Sequence, residues 1–130
     1  PPSPEAKEQS RLSIEEWNAY FRGHWVFPGE KQTKHLAMFP EELPRRLILL
    51  YTNVGDVVLD PFMGSGTTAV TAKKLRRHYI GYELSPEYCR LAEERLLATP
   101  EPLIPFEEAE PAEQEEAADQ QGFCQLSAWE

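Results

Sequence analysis

Asp60-Pro61-Phe62-Met63-Gly64-Ser65-Gly66-Thr67-Thr68 is the stretch from which the rest of the chain is read. The apolar run Asp56-Val57-Val58-Leu59 leads into it, and Ala69-Val70-Thr71-Ala72-Lys73-Lys74-Leu75 follows with a helical pattern. A strand ending in an acid, a glycine turn and a helix together form a ligand cradle. Gly64 and Gly66 let backbone approach a bound molecule and take dihedrals closed to other residues. The unpaired N–H groups at the start of the following helix then face that molecule. A second apolar stretch, Tyr79-Ile80-Gly81-Tyr82, is closed by Glu83. An acid ending the second strand about 20 residues beyond the glycines is placed to accept hydrogen bonds from ribose hydroxyls. The pattern predicts a site for an adenosine-containing cofactor.

The glycines alone leave the cofactor open. A phosphate-binding loop needs a lysine after its last glycine, and none follows Gly66 at that spacing. The dinucleotide fingerprint is formally met by Gly64, Gly66 and Ala69, but it starts directly after the strand, without Asp-Pro-Phe in front. An acid at Asp60 sits badly beside a pyrophosphate and well beside an ammonium. S-adenosylmethionine (AdoMet) carries both a sulfonium and an ammonium, so the electrostatics favour the methyl donor. An NAD-dependent oxidoreductase remains the distant alternative.

Three blocks carry a family resemblance. Asp60 to Thr68 resembles the AdoMet-binding motif of DNA amino-methyltransferases, which methylate adenine N6 or cytosine N4. Lys34-His35-Leu36-Ala37-Met38-Phe39-Pro40-Glu41-Glu42-Leu43, running into Pro44-Arg45-Arg46-Leu47-Ile48, resembles the motif that precedes the glycine loop in that family. Gly81-Tyr82-Glu83-Leu84-Ser85-Pro86-Glu87-Tyr88 resembles its ribose-binding strand end and next helix. The blocks run in one order from Trp17 to Leu97. The resemblance implies an α/β fold, a partial Rossmann-like AdoMet methyltransferase domain. It implies that Phe39 and Pro40 line the cofactor pocket, with Lys34 and His35 leading into it. Asp60 would meet the methionine ammonium, and Phe62, Gly64, Ser65, Gly66, Thr67 and Thr68 would wrap the methionine portion. The plainer reading of Thr67 and Thr68 is helix capping, and both roles can coexist. Glu83 would hold the ribose, with Leu84 near the adenine.

The family's chemistry resides in an Asp/Asn/Ser-Pro-Pro-aromatic loop that binds the target amino group and stacks on the flipped base. No such tetrapeptide occurs in residues 1–130, so no catalytic residue is assigned. Ser85-Pro86-Glu87-Tyr88 is the nearest approach and reads better as a helix start, with Ser85 as N-cap and Pro86 first in the helix. Pro1-Pro2-Ser3-Pro4 lacks the aromatic. The chain begins with Pro1 rather than Met. The expectation is therefore a C-terminal, cofactor-binding part whose catalytic loop and principal double-stranded DNA contacts lie upstream. The alternative is a non-catalytic AdoMet-binding module or a split-enzyme subunit completed by a catalytic-half partner chain.

Charge divides the chain. It has 22 acids and 13 bases, a net charge of −9. Beyond Thr99 there is no lysine or arginine, and the acids Glu101, Glu107, Glu108, Glu110, Glu113, Glu115, Glu116, Asp119 and Glu130 supply the whole imbalance. One sign of charge with little apolar surface cannot offset ordering entropy, which predicts disorder from Pro100 to Gln121. The expected organisation is 1–30 as the end of a target-recognition region with an N-terminal helix, 31–98 as the AdoMet-binding core, and 99–130 as a disordered acidic tail. A neutral core is a poor electrostatic footprint for DNA. The basic cluster Lys73, Lys74, Arg76, Arg77 and His78 is read as complementing a helix C-terminus rather than binding phosphate.

Shorter signals complete the reading. Ser13-Ile14-Glu15-Glu16 is a capping box opening a helix through Phe21. Trp17, Tyr20, Trp25 and Phe27 are read as core rather than as a nucleobase contact. Pro40 begins a helix in which Leu43, Leu47, Leu50 and Tyr51 share a face, and residues 86–97 form the last helix. Cys89 and Cys124 have no metal-ligand spacing and fall on a helix and in the tail, so no bridge is expected and the chain reads as a reduced cytoplasmic protein. No apolar run is long enough to cross a membrane. At the end of the chain, Gln125-Leu126-Ser127-Ala128-Trp129 resembles the peptide by which bacterial replication proteins dock on the sliding clamp. The competing reading has Leu126 and Trp129 folding back onto the domain.

Overall fold

A computed structural model describes residues 1–26, 28, 39–100 and 124–127. In chain order the elements are α1 (Pro4–Gln9), α2 (Ile14–Tyr20), α3 (Glu42–Tyr51), β1 (Val57–Asp60), α4 (Thr67–Lys74), β2 (His78–Glu83), α5 (Pro86–Ala98) and β3 (Cys124–Ser127). The sheet has three strands in the order β1-β2-β3. β1 and β2 run parallel, with Val57 opposite His78 and Asp60 opposite Gly81. A parallel pair needs a crossover, and α4 supplies it. This is the α/β arrangement expected.

Local chemistry explains most helix boundaries. The capping box at α2 is complete: Glu16 N–H donates to Ser13 Oγ at 3.1 Å, and Ser13 N–H donates to the Glu16 carboxylate at 3.0 Å. α5 starts as read, with Ser85 as N-cap and Pro86 at its first position. The same signal, Ser3 followed by Pro4, opens α1, which the sequence reading passed over. α3 begins at Glu42, after a Leu43 N–H bond to the Pro40 carbonyl at 3.0 Å.

The core lies between the sheet, α4 and α5. Met63, Ala69, Val70, Ala92 and Leu96 are buried together, with Tyr79 and Leu126 packed against them. Small residues let the layers close. A Cβ on Gly66 would stand 2.8 Å from Ala92 Cβ, so α5 lies directly against the glycine loop. At Gly81 a Cβ would collide with the Met63 side chain, whose Cγ would be 3.0 Å away. Met63 is thus a core residue inside the loop itself.

Three expectations change. First, α3 begins at Glu42 rather than at Pro40; its buried apolar residues are Pro44 and Ile48, while Leu47 and Tyr51 are exposed, Tyr51 by 73%. Second, Cys124–Ser127, within the stretch read as tail, pairs antiparallel with β2, setting Leu126 opposite Gly81 and Cys124 opposite Glu83. Third, that pairing brings Cys124 to Cys89 as a disulfide, with Cα atoms 6.2 Å apart. The absence of a bridge is therefore corrected. Strand pairing closes a sequence separation of 35, and the Cα distance falls within the span a bridge requires. The stretch expected to be disordered, 100–121, lies outside the described residues except for Pro100.

The basic cluster is used internally, as anticipated. Arg77 is 3% exposed and donates to the Thr52 carbonyl at 2.8 Å, to Thr52 Oγ1 at 3.0 Å and to the Leu75 carbonyl at 2.7 Å. Those carbonyls belong to the C-caps of α3 and α4, where a cation complements the helix dipole. Burial pushes the Arg77 pKa down to about 10, which leaves it charged at neutral pH. Lys74 pairs with Glu41 at 2.7 Å, Lys73 donates to the Leu96 carbonyl at 3.1 Å, and Arg76 meets Gln9.

The aromatic segment divides. Tyr20 is buried and its hydroxyl accepts from Arg45 at 2.7 Å. Trp25 donates its indole N–H to the Tyr20 carbonyl at 3.0 Å, and Arg46 lies over both rings. Trp17 is half exposed and stacks on Phe21 at 4.1 Å, so it is not core. Phe27 lies outside the described residues.

Candidate functional site

The parallel strands end side by side, and the residues at their C-terminal ends meet. Two positive-φ glycines, Gly64 at 55° and Gly66 at 79°, turn the chain from β1 into α4. Gly66 is the N-cap of α4 and offers no side-chain acceptor, so the first N–H groups of α4 lack the usual cap. The turn is closed by Gly66 N–H to the Met63 carbonyl at 3.0 Å and tied to β2 by Met63 N–H to the Tyr82 carbonyl at 2.9 Å.

Glu83 joins the two strand ends. One carboxylate oxygen, Oε2, accepts the Gly64 N–H at 2.8 Å. The other, Oε1, accepts from both Leu84 N–H and Ser85 N–H, each at 2.8 Å. Two donors fill the lone pairs of Oε1, which leaves Oε2 as the oxygen with acceptor capacity to spare. The acid predicted to hold a ribose thus also fixes the loop expected to wrap the rest of the ligand. Asp60 closes β1, and its Oδ1 accepts the Phe62 N–H at 3.1 Å, which sets the carboxylate over the start of the loop.

The other expected site residues fall into three groups. Phe62 (88% exposed) and Leu84 (67% exposed) are apolar side chains in solvent at the rims of the two strand ends. Phe39 and Thr68 share an apolar cleft of about 400 Å³ with α3 residues and with Val57, Val58 and Leu59 of β1. Pro40 stands at the entry to α3. Ser65 and Thr67 are both buried, and their hydroxyl oxygens accept from Arg95 at 3.0 Å. Lys34 and His35 lie outside the described residues.

Arg95 is the residue that sequence reasoning missed. A cation one turn beyond a small residue at Ala92 was the signal that could have found it. His78, at the start of β2, has its pKa lowered by burial and lies at the opposite end of the strand from Glu83. Among the described residues no group of His, Cys, Asp and Glu side chains could hold a metal ion, and no helix is long and apolar enough to cross a membrane.

Comparison with known proteins agrees with this arrangement. The family model for N6/N4 methylases, described as DNA methylase, matches residues 2–94. The type II methyltransferase M.BglI of Bacillus subtilis is 49% identical over 87 residues, which are 65% of this chain and 25% of the relative. M.MjaI of Methanocaldococcus jannaschii is 42% identical over 92 residues, 67% of this chain and 30% of its own. Among solved structures, a Thermus thermophilus protein proposed to be a DNA modification methylase was crystallised with S-adenosyl-L-methionine. It superposes with a TM-score of 0.68 at 43% identity, over 76% of this chain and 39% of its own. The chain therefore spans well under half the length of these relatives. With the match reaching from residue 2 to 94 and the glycine loop, Glu83 and most of α5 within it, the chain belongs to the N6/N4 DNA methylase family.

Proposed function

We propose that this chain is the AdoMet-binding part of a DNA amino-methyltransferase acting on adenine N6 or cytosine N4. The observation that carries the reading is the bond from Gly64 N–H to Glu83 Oε2, at 2.8 Å, which couples the glycine loop to the ribose acid. The donor set fits the ligand. Asp60 complements an ammonium, the uncapped first turn of α4 complements a carboxylate, and Oε2 of Glu83 retains an acceptor site for a ribose hydroxyl. Phe62 and Leu84 offer apolar surface to the rest of the molecule. When bound, AdoMet supplies an electrophilic methyl group on its sulfonium. The chain's own residues contribute proximity and orientation, holding that ligand against the strand ends. Lys34, His35, Phe39 and Pro40 would border the pocket, and the reading takes residues 31–98 as the cofactor core, 1–30 as the end of a target-recognition region and 99–130 as a tail.

The catalytic Asp/Asn/Ser-Pro-Pro-aromatic loop would come from a segment outside residues 1–130, in the same polypeptide or a partner chain, together with the principal double-stranded DNA contacts. The edge of β1 and the cleft beside it suit that segment. β1 pairs only with β2 among the described strands, and Val57, Leu59, Leu47 and Tyr51 expose apolar surface there. A cytoplasmic setting, where DNA and AdoMet meet, follows from this reading. Clamp docking by Gln125-Leu126-Ser127-Ala128-Trp129 would require β3 to leave β2 and Leu126 to leave the core, so the fold-back reading is preferred. A pull-down in which Trp129→Ala changes nothing would dispose of docking.

Calorimetric titration of the chain with AdoMet, S-adenosylhomocysteine and NAD tests the cofactor. Binding of the first two and not the third is expected; NAD binding alone would sink the reading. The chain alone should transfer no methyl to DNA, and transfer by the purified chain would overturn the proposed division of labour.

A further inference from the structure

The loop between β1 and α4 is held from α5 as well as from β2. Arg95 places a single nitrogen, Nη1, 2.7 Å from the Ser65 carbonyl, 3.0 Å from Ser65 Oγ and 3.0 Å from Thr67 Oγ1. Ala92, three residues earlier and so on the same side of α5, is the residue that Gly66 packs against. α5 thus meets the loop with an apolar contact and, one turn on, a cation.

The consequence lies in one peptide plane. The Ser65–Gly66 peptide has its carbonyl bound by Arg95 and its N–H bound by the Met63 carbonyl at 3.0 Å. Because a peptide unit is planar, gripping both edges fixes its orientation. That orientation in turn sets the direction of the neighbouring N–H groups at the start of α4. The bond is charge-assisted, and such bonds are stronger than neutral ones. Ser65 and Thr67 are buried, so water competes little for their acceptors.

We propose that Arg95 is the positioning residue of the cofactor loop, keeping residues 63–68 in their binding conformation before any cofactor arrives. The proposal rests on the AdoMet reading for its purpose but not for its geometry. Arg95 touches no ligand in this scheme; it acts through Ser65 and Thr67.

The test compares the 130-residue chain with Arg95→Met and Arg95→Lys, using Glu94→Gln as an exposed control on the same helix. The first readout is amide hydrogen exchange of the 62–69 segment without cofactor; the second is AdoMet affinity. Arg95→Met should speed exchange in 62–69 by about tenfold or more, with β1 and β2 little changed, and weaken AdoMet by about tenfold. Arg95→Lys should restore both to within about threefold, because an ammonium has three donors for the three acceptors. Unchanged exchange in 62–69, or exchange raised uniformly across the chain, would overturn the proposal. Failure of the unsubstituted chain to bind AdoMet would strike the cofactor reading, while the exchange data would still decide Arg95's role.

Discussion

The two flanks of β1 differ in how finished they are. On the side of β2 and α5, every approach is close: Gly66 against Ala92, Gly81 against Met63, Glu83 on Gly64 and Arg95 on Ser65. On the side of α3, a cleft of about 400 Å³ is left open, and Leu59 in the strand itself is 60% exposed. The first flank is closed by residues of this chain; the second presents apolar surface without a cover among the described residues. An apolar strand edge in water is a pairing site. The contrast teaches that the geometry of the glycine loop is built in by close packing, whereas the apolar face beside β1 is left uncovered among the described residues.

The largest effect should come from Gly66→Ala. It would combine a positive φ with a clash against Ala92, including its backbone Cα at 3.2 Å. A loss of about 2–4 kcal/mol in denaturant unfolding is expected. Gly23→Ala, which meets nothing within 4 Å, should stay within about 0.5 kcal/mol. Equal behaviour of the two variants would break the idea of a closed flank.

Glu83→Gln comes next. The amide oxygen can still accept from Leu84 and Ser85, but its NH₂ would then face the Gly64 N–H, donor against donor. AdoMet affinity should fall about tenfold or more, through loss of a charged acceptor. Retention of full affinity in a titration would detach Glu83 from the loop.

On the open flank, Leu59→Ser should leave the stability of the chain within about 0.5 kcal/mol, because Leu59 is already largely in solvent. Its effect should appear in association with the segment carrying the catalytic loop, measured by sedimentation of the mixed pair. A marked loss of stability in the chain alone would show that this flank is closed too.

The smallest effect concerns pH. Burial lowers the His78 pKa below its ordinary value, so the unfolded state takes up the proton first as pH falls. Its contribution is therefore constant above about pH 6.5 and is lost progressively below it, down to the folded pKa. Unfolding midpoints measured between about pH 7 and 5 should fall less steeply in His78→Gln than in the unsubstituted chain.

Local signals were readable wherever the chemistry was local. The capping box at Ser13, the Ser85-Pro86 start and the glycine turn after Asp60 depend on neighbours a few residues away, and each is found where the spacing put it. Ser3-Pro4 carried the same signal and was overlooked. The face shared by Leu47 and Tyr51 was legible, but helical periodicity does not say whether anything covers it, and both residues are exposed.

Residue type and spacing thus determined the strand–glycine loop–helix unit and the acid ending β2, because these follow from backbone dihedrals and short-range hydrogen bonds; three motif blocks in one order carried the family resemblance. Tertiary structure alone decided that Met63 fills the space above Gly81, that Cys89 meets Cys124, and that Leu126 joins the core. It alone turned the Ser65 and Thr67 hydroxyls toward Arg95, 30 and 28 residues away in sequence. Such contacts arise when separate elements pack, and packing depends on which small residues let two backbones approach, which no local pattern records.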